Sequence, residues 1–180
     1  MREYISLLRG VNVGGKTIQM AVLKNLYESL GLSDVTTYIQ SGNVLFNAAN
    51  RDIRDLQTGI AGIIQTNSQL DVAVIIRTRL ELRAIIEGNP FSGAGRTEFD
   101  KMHVTFLEEQ PAPERLKNLN TTKDTADQWK LMNREIYLLC PDGYGRTVYH
   151  NSFFEKKLKV RATTRNWHTV NKLYESAADS

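Results

Sequence analysis

The same order of hydrophobic patterns occurs twice along this chain, and that order leaves few folds open. Tyr4–Leu8 is a short apolar run ending at Arg9-Gly10, which predicts a buried strand entering a tight turn. Met20, Leu23, Leu26, Tyr27 and Leu30 then recur at helical spacing, with Gly31 placed as a C-terminal cap. Val35–Ile39 and Val44–Phe46 are strand-like, and the turn-forming tetrad Gln40-Ser41-Gly42-Asn43 between them predicts a hairpin. A second helix, capped by Asn50, carries Ile53, Leu56, Ile60, Ile63 and Ile64 on one face, and Val72–Ile76 follows as a buried strand. Thr78–Glu81 spells a capping box for a third helix ending near Gly88.

Asn89–Gly95, rich in small and turn-forming residues, interrupts the pattern, and strand, helix and hairpin then return. Met102–Leu107 reads as a strand and Pro113–Leu119 as a helix with proline at its favoured first position. Trp129–Met132 and Ile136–Cys140 form a second hairpin through Asn133-Arg134. Ser152–Glu155 offers another capping box, and a last helix is expected to start near Thr164 and carry Trp167, Val170, Leu173 and Tyr174. The expectation is an α+β fold of two related β-α-β-β-α units, an internal duplication in a ferredoxin-like arrangement with mixed or antiparallel sheets. The units are placed at 1–95 and 96–180, packed as one compact body.

A chain of 180 residues has enough material for a real core, and its 41% hydrophobic and 24% charged residues are those of a folded globular protein. Lysine and arginine total 23 against 20 acids, a net charge of +3, which permits an anionic partner without the dense basic stripe of a strong nucleic-acid binder. No stretch approaches the roughly 20 apolar residues of a membrane span, and Met1-Arg2-Glu3-Tyr4 leads straight into a strand without signal-peptide architecture, so a cytoplasmic protein with no membrane partner is expected. One cysteine, Cys140, excludes an internal disulfide, and His103, His150 and His168 lack ligand spacing, so no metal is expected.

Gly10–Thr17 matches the P-loop pattern G-x-x-x-x-G-K-[ST] letter for letter, after a strand and before a helix. Glycines let backbone N–H groups converge on phosphate oxygens, and Lys16 supplies positive charge. Against a nucleotide triphosphatase stand three features. The apolar helical phase begins at Met20 rather than at the lysine; Val72–Ile76 ends in Arg77 instead of an acid, with Cys140-Pro141-Asp142 a poor substitute; and hairpins conflict with the parallel crossovers such an enzyme needs.

A gentler reading keeps an anion site without hydrolysis. If the first β-α-β connection is a parallel crossover, the loop after the first strand and the turn after the second lie at one sheet edge. Arg9, Asn12, Gly14, Gly15, Lys16, Ser41 and Asn43 are then the candidate ligand-binding residues, although serine and asparagine in turns more often bond their own backbone. Arg161, Thr164 and Arg165 form a second candidate, two guanidinium groups flanking the expected start of the last helix. Ordinary capping by Thr163 or Thr164 with a buried Trp167 is the plainer reading of that segment. Cys140, at the end of an apolar strand, reads as a buried thiol rather than a nucleophile.

Leu7–Lys16, Thr37–Val44, Asn89–Phe91 and Ala162–Trp167 together closely resemble a bacterial family catalogued as domain of unknown function 1697, over nearly the whole chain. The resemblance implies an α+β fold of two related units and carries over no activity, cofactor or catalytic residue. It also implies that the position of Thr17 is not tied to a hydroxyl, as magnesium ligation in a P-loop would require. Three functions compete: a binding module for an anionic small molecule or nucleic-acid phosphate; a phosphate-handling enzyme with Lys16 as clamp and Arg161 or Arg165 stabilising developing charge; and an interaction or homodimerising module using exposed strand edges.

Overall fold

The computed structural model describes residues 1–11, 17–39, 42–49, 51–94, 96–119 and 125–177. Two compact units divide the chain, one of Met1–Arg83 with the last residues from Leu173, the other of Ala84–Lys172. The first contains strand β1 (Arg2–Arg9), helix α1 (Met20–Ser29), β2 (Ser33–Tyr38), β3 (Asn43–Ala48), α2 (Ile53–Ser68) and β4 (Ala73–Thr78), and helix α3 (Arg79–Glu87) follows. The second contains β5 (Met102–Leu107), α4 (Pro113–Leu116), β6 (Gln128–Met132), β7 (Glu135–Leu139), α5 (Asn151–Leu158) and β8 (Ala162–Asn166), and α6 (Trp167–Ser176) follows. Each sheet is antiparallel throughout, in the order β2-β3-β1-β4 and β6-β7-β5-β8. The duplication expected from the pattern is therefore present, and each unit is a split β-α-β arrangement of the ferredoxin-like kind.

Alternation along the central strand places Tyr4 and Leu8 in the core beneath α1 and α2, together with Leu23, Tyr27, Phe46, Ile60 and Ile64. Ser6 lies on that same face and satisfies its hydroxyl against Tyr27 at 2.7 Å, while burial pushes the Tyr27 phenol pKa well above its ordinary value. Ile5 and Leu7, on the opposite face, are also fully buried. In the second unit Leu107, Ile136, Leu138, Phe154 and Ala162 make the equivalent core.

Strand register makes the two units comparable residue by residue. Leu8 stands opposite Val74 and Leu107 opposite Ala162; Ile5 stands opposite Arg77 and Val104 opposite Arg165. Arg77 and Arg165 are thus counterparts, each next to last in its strand. Each donates Nη1 to the carbonyl of the residue before it, Ile76 and Thr164, at 2.9 Å. The following residue caps the next helix in both units: Glu81 N–H donates to Thr78 Oγ1 at 3.2 Å, and Thr169 N–H to Asn166 Oδ1 at 2.7 Å.

Several local expectations shift. The Thr78–Glu81 capping box forms, with Glu81 Oε2 accepting from Thr78 N–H at 2.7 Å. Asn50 lies outside the described residues, and Asp52 caps α2 by accepting from Arg54 N–H at 2.7 Å. The Ser152–Glu155 box does not form, because α5 starts at Asn151 and Glu155 accepts from Ala162 N–H instead. The last helix starts at Trp167 rather than near Thr164. The β-branched pair Thr163-Thr164 completes an edge strand paired with β5, so the second unit gains a fourth strand that its periodicity did not announce.

Arg77, with no exposed surface, buries a charge and a long apolar stem. Arg77→Ala should lower stability by about 2–3 kcal/mol, and Arg165→Ala by less because part of its surface remains exposed. Urea denaturation of both variants checks this; a loss in Arg165→Ala larger than in Arg77→Ala would contradict it.

Candidate functional site

The glycine-rich loop leaves the central strand at its C-terminal end. Arg9, partly exposed, is the last residue of β1 and stands opposite Ala73; Gly10 follows with φ +84° and Val11 is buried. The turn between β2 and β3 reaches the same place, where Leu8 N–H donates to the Gly42 carbonyl at 2.7 Å. Gly42 has φ +74°, and a Cβ there would stand 2.9 Å from Leu8 Cβ and 3.4 Å from Val11 Cβ. Only glycine permits so close an approach in that conformation, so the turn lies directly against the start of the loop. Both segments share one sheet edge because β2 runs parallel to β1 with β3 between them.

Of the first set of candidates, Arg9 and Asn43 have described positions at this edge, while Asn12, Gly14, Gly15, Lys16 and Ser41 lie outside the described residues. Asn43 is buried and donates Nδ2 to the Tyr38 carbonyl at 3.2 Å, closing the turn across its base. Ile39 beside it is 53% exposed and has φ +48°, a conformation that a β-branched residue adopts only under strain. Helix α1 begins at Met20, and its N-cap position, Gln19, makes no side-chain capping bond. A P-loop needs a helix starting at its lysine and a parallel sheet; here the helix starts four residues later and both neighbours of β1 are antiparallel.

The second set separates. Thr164 Oγ1 donates to Asn151 Oδ1 at 2.6 Å and bonds Thr105 Oγ1 at 2.7 Å, so its hydroxyl faces α5. Arg165 donates Nη1 to Thr163 Oγ1 at 2.8 Å, and successive strand residues point to opposite faces. Arg161 is exposed at the other end of β8, where its carbonyl accepts from Glu108 N–H at 2.9 Å. These residues therefore do not converge at a helix N-terminus. Sequence reading overlooked Arg77 as the partner of Arg165. A signal was present: Ile76-Arg77-Thr78 and Thr164-Arg165-Asn166 are the same strand-arginine-cap run once the strand registers are matched.

The described titratable groups have physical causes for their shifts. Burial lowers the His103 pKa, only partly offset by the Lys101 carbonyl, and the imidazole stacks on Tyr144 with ring centroids 4.6 Å apart. Burial pulls the Arg165 guanidinium down to about 10, with Tyr144 acting in the other direction. Burial, reinforced by Asp127, pushes the Cys140 thiol up to about 11 despite its bond with Thr147, so it stays protonated near neutral pH and makes a poor nucleophile. Among the described residues, no cluster of three His, Cys, Asp or Glu side chains is arranged to hold a metal ion.

A family model described as protein of unknown function (DUF1697) matches residues 1–137. The chain belongs to this family. The match spans the first unit, with its glycine-rich loop, and the second as far as β7. A solved structure, conserved bacterial protein SP0830 from Streptococcus pneumoniae, is 21% identical, covers 99% of each chain and superposes with a TM-score of 0.79, a likeness of fold. No curated protein matches.

Two outcomes follow for this region. Gly42→Ala should cost roughly 1–3 kcal/mol, since the new methyl meets Leu8 in a left-handed backbone; a neutral melting temperature would show that the turn moves freely off β1. For His103, the folded state binds its proton less readily than the unfolded chain. Its contribution is therefore complete above the ordinary histidine pKa of 6.5 and is lost as pH falls through that value toward the lowered one. His103→Gln should flatten that part of the stability profile between neutral and mildly acid pH; an unchanged slope would contradict the assignment.

Proposed function

We propose that this chain is a small cytoplasmic binding module for a phosphate-bearing anion, seated where the glycine-rich loop and the Gly42 turn meet at the end of β1. The observation that carries the reading is the Leu8-to-Gly42 hydrogen bond with its close glycine packing, because it brings together two segments otherwise distant in sequence. Arg9 adds a cation at this edge, and Lys16 belongs to the loop that begins there. Backbone N–H groups in glycine-rich turns suit anions without requiring hydrolysis.

The equivalent edge of the second unit supports the choice by contrast. Leu107 N–H donates to the Arg134 carbonyl at 2.9 Å, as Leu8 does to Gly42, but Glu108 occupies the place of Arg9 and Glu135 that of Asn43. Burial raises the Glu108 pKa, Arg161 opposes that rise and Glu109 adds to it. The scaffold is repeated and its basic glycine-rich edge is not, which favours one ligand per chain. The modest net charge of +3 favours a nucleotide or phosphorylated metabolite over extended nucleic acid.

A thermal-shift screen of nucleotides, phosphorylated metabolites and short oligonucleotides tests the reading. A ligand at a hundredfold its Kd should stabilise the chain by about 2.7 kcal/mol, and Lys16→Ala should remove most of that gain. Equal stabilisation of the variant would overturn a lysine-centred site, and affinity falling steeply with salt would reassign the ligand to nucleic acid.

A further inference from the structure

At the other end of β1, about 23 Å from Arg9 for seven residues of strand rise, the first unit has a cleft of about 390 Å³. Arg2 and Glu3 form its wall from the start of β1, Thr78 and Arg79 from the junction of β4 and α3, and Ile53 and Leu80 its apolar sides. The volume is that of a small-ligand site. Arg79 is held in place, its guanidinium carbon 5.2 Å from the centroid of the Tyr174 ring. Its Nε is buried and has no hydrogen-bond partner among the described residues. Arg79 itself lines the cleft, and an anionic oxygen bound against the open part of its guanidinium would gain a charge-assisted hydrogen bond.

The surroundings restrict the anion. Glu3 and Glu81 line the cleft with Arg2 and Arg79, so the two carboxylates repel a multiply charged phosphate more than they repel a singly charged carboxylate. Leu80 is 75% exposed, an apolar surface that a ligand's hydrocarbon part would cover. We propose that this cleft binds a carboxylate attached to a branched apolar group, with the carboxylate on Arg79 and the hydrocarbon against Leu80 and Ile53. The source is a small free acid or a peptide C-terminus ending in such a side chain. This site is independent of the phosphate reading for the glycine-rich edge.

Amide NMR titration of the full chain with isocaproate and with its neutral amide provides the test. Isocaproate should shift the resonances of Thr78–Glu81, and the neutral amide should leave them in place. Arg79→Gln should weaken binding by roughly tenfold or more, and Lys16→Ala should not change it. Since Arg79 also packs on Tyr174, Leu80→Glu serves as a second variant: it alters an exposed side chain, keeps the fold and should abolish binding by repulsion. A leucine-terminated tripeptide with a free C-terminus separates the sources, tighter binding of the peptide indicating a chain terminus and tighter binding of isocaproate a small acid. Equal shifts with acid and amide, no shifts with either isocaproate or the tripeptide, or unaltered binding in both Arg79→Gln and Leu80→Glu would overturn the proposal.

Discussion

A central strand hydrogen-bonded on both sides has almost no freedom, and each unit is organised around one. β1 lies between β3 and β4, and β5 between β7 and β8, so register on both flanks fixes where every side chain of these strands points. The consequences reach past the strands themselves. Where the β1–β3 register ends at Leu7 and Asn43, Leu8 N–H donates to the Gly42 carbonyl, and past the matching end of the β5–β7 register Leu107 N–H donates to that of Arg134. Each hairpin turn is thereby held against the exit of its central strand, which positions the candidate anion-binding edge.

Register also reveals what the duplication has kept and what it has changed. Arg77 and Arg165 share a strand position, a self-bond to the preceding carbonyl and a following cap residue, although the strands around them share little else: Val74-Ile75-Ile76 against Ala162-Thr163-Thr164. The opposite end of the central strand differs in chemistry. Arg9 and Asn43 in one unit are replaced by Glu108 and Glu135 in the other, so equivalent strand positions carry different charges in the two units. A fold of this kind supplies positions, while side chains decide whether a position is a site.

Most elements were legible because their hydrophobic periods were strong: α1, α2, the two hairpins and the Thr78–Glu81 box all read directly from local spacing. β8 was not, since Ala162-Thr163-Thr164-Arg165-Asn166 is short and polar and becomes a strand only by pairing with β5. For the same reason the sequence pattern suggests Arg161 and Arg165 as guanidinium groups flanking a helix start near Thr164. The P-loop spelling of Gly10–Thr17 is eight letters that by themselves say nothing of strand direction; helix phase, the missing acid and the hairpins spoke against a nucleotide triphosphatase, and both neighbours of β1 are antiparallel.

By itself, the sequence determined the α+β class, the repeated order of elements, the glycine-rich exit from the first strand and the exclusion of an internal disulfide, because each rests on composition or on contacts a few residues apart. Only tertiary structure decided that Gly42 sits against Leu8 and Val11, that Arg77 and Arg165 are counterparts, and that Arg79 lines a cleft with the start of β1. Those relations join residues far apart in the chain, and long-range strand pairing, which leaves no local period, is what brings them together.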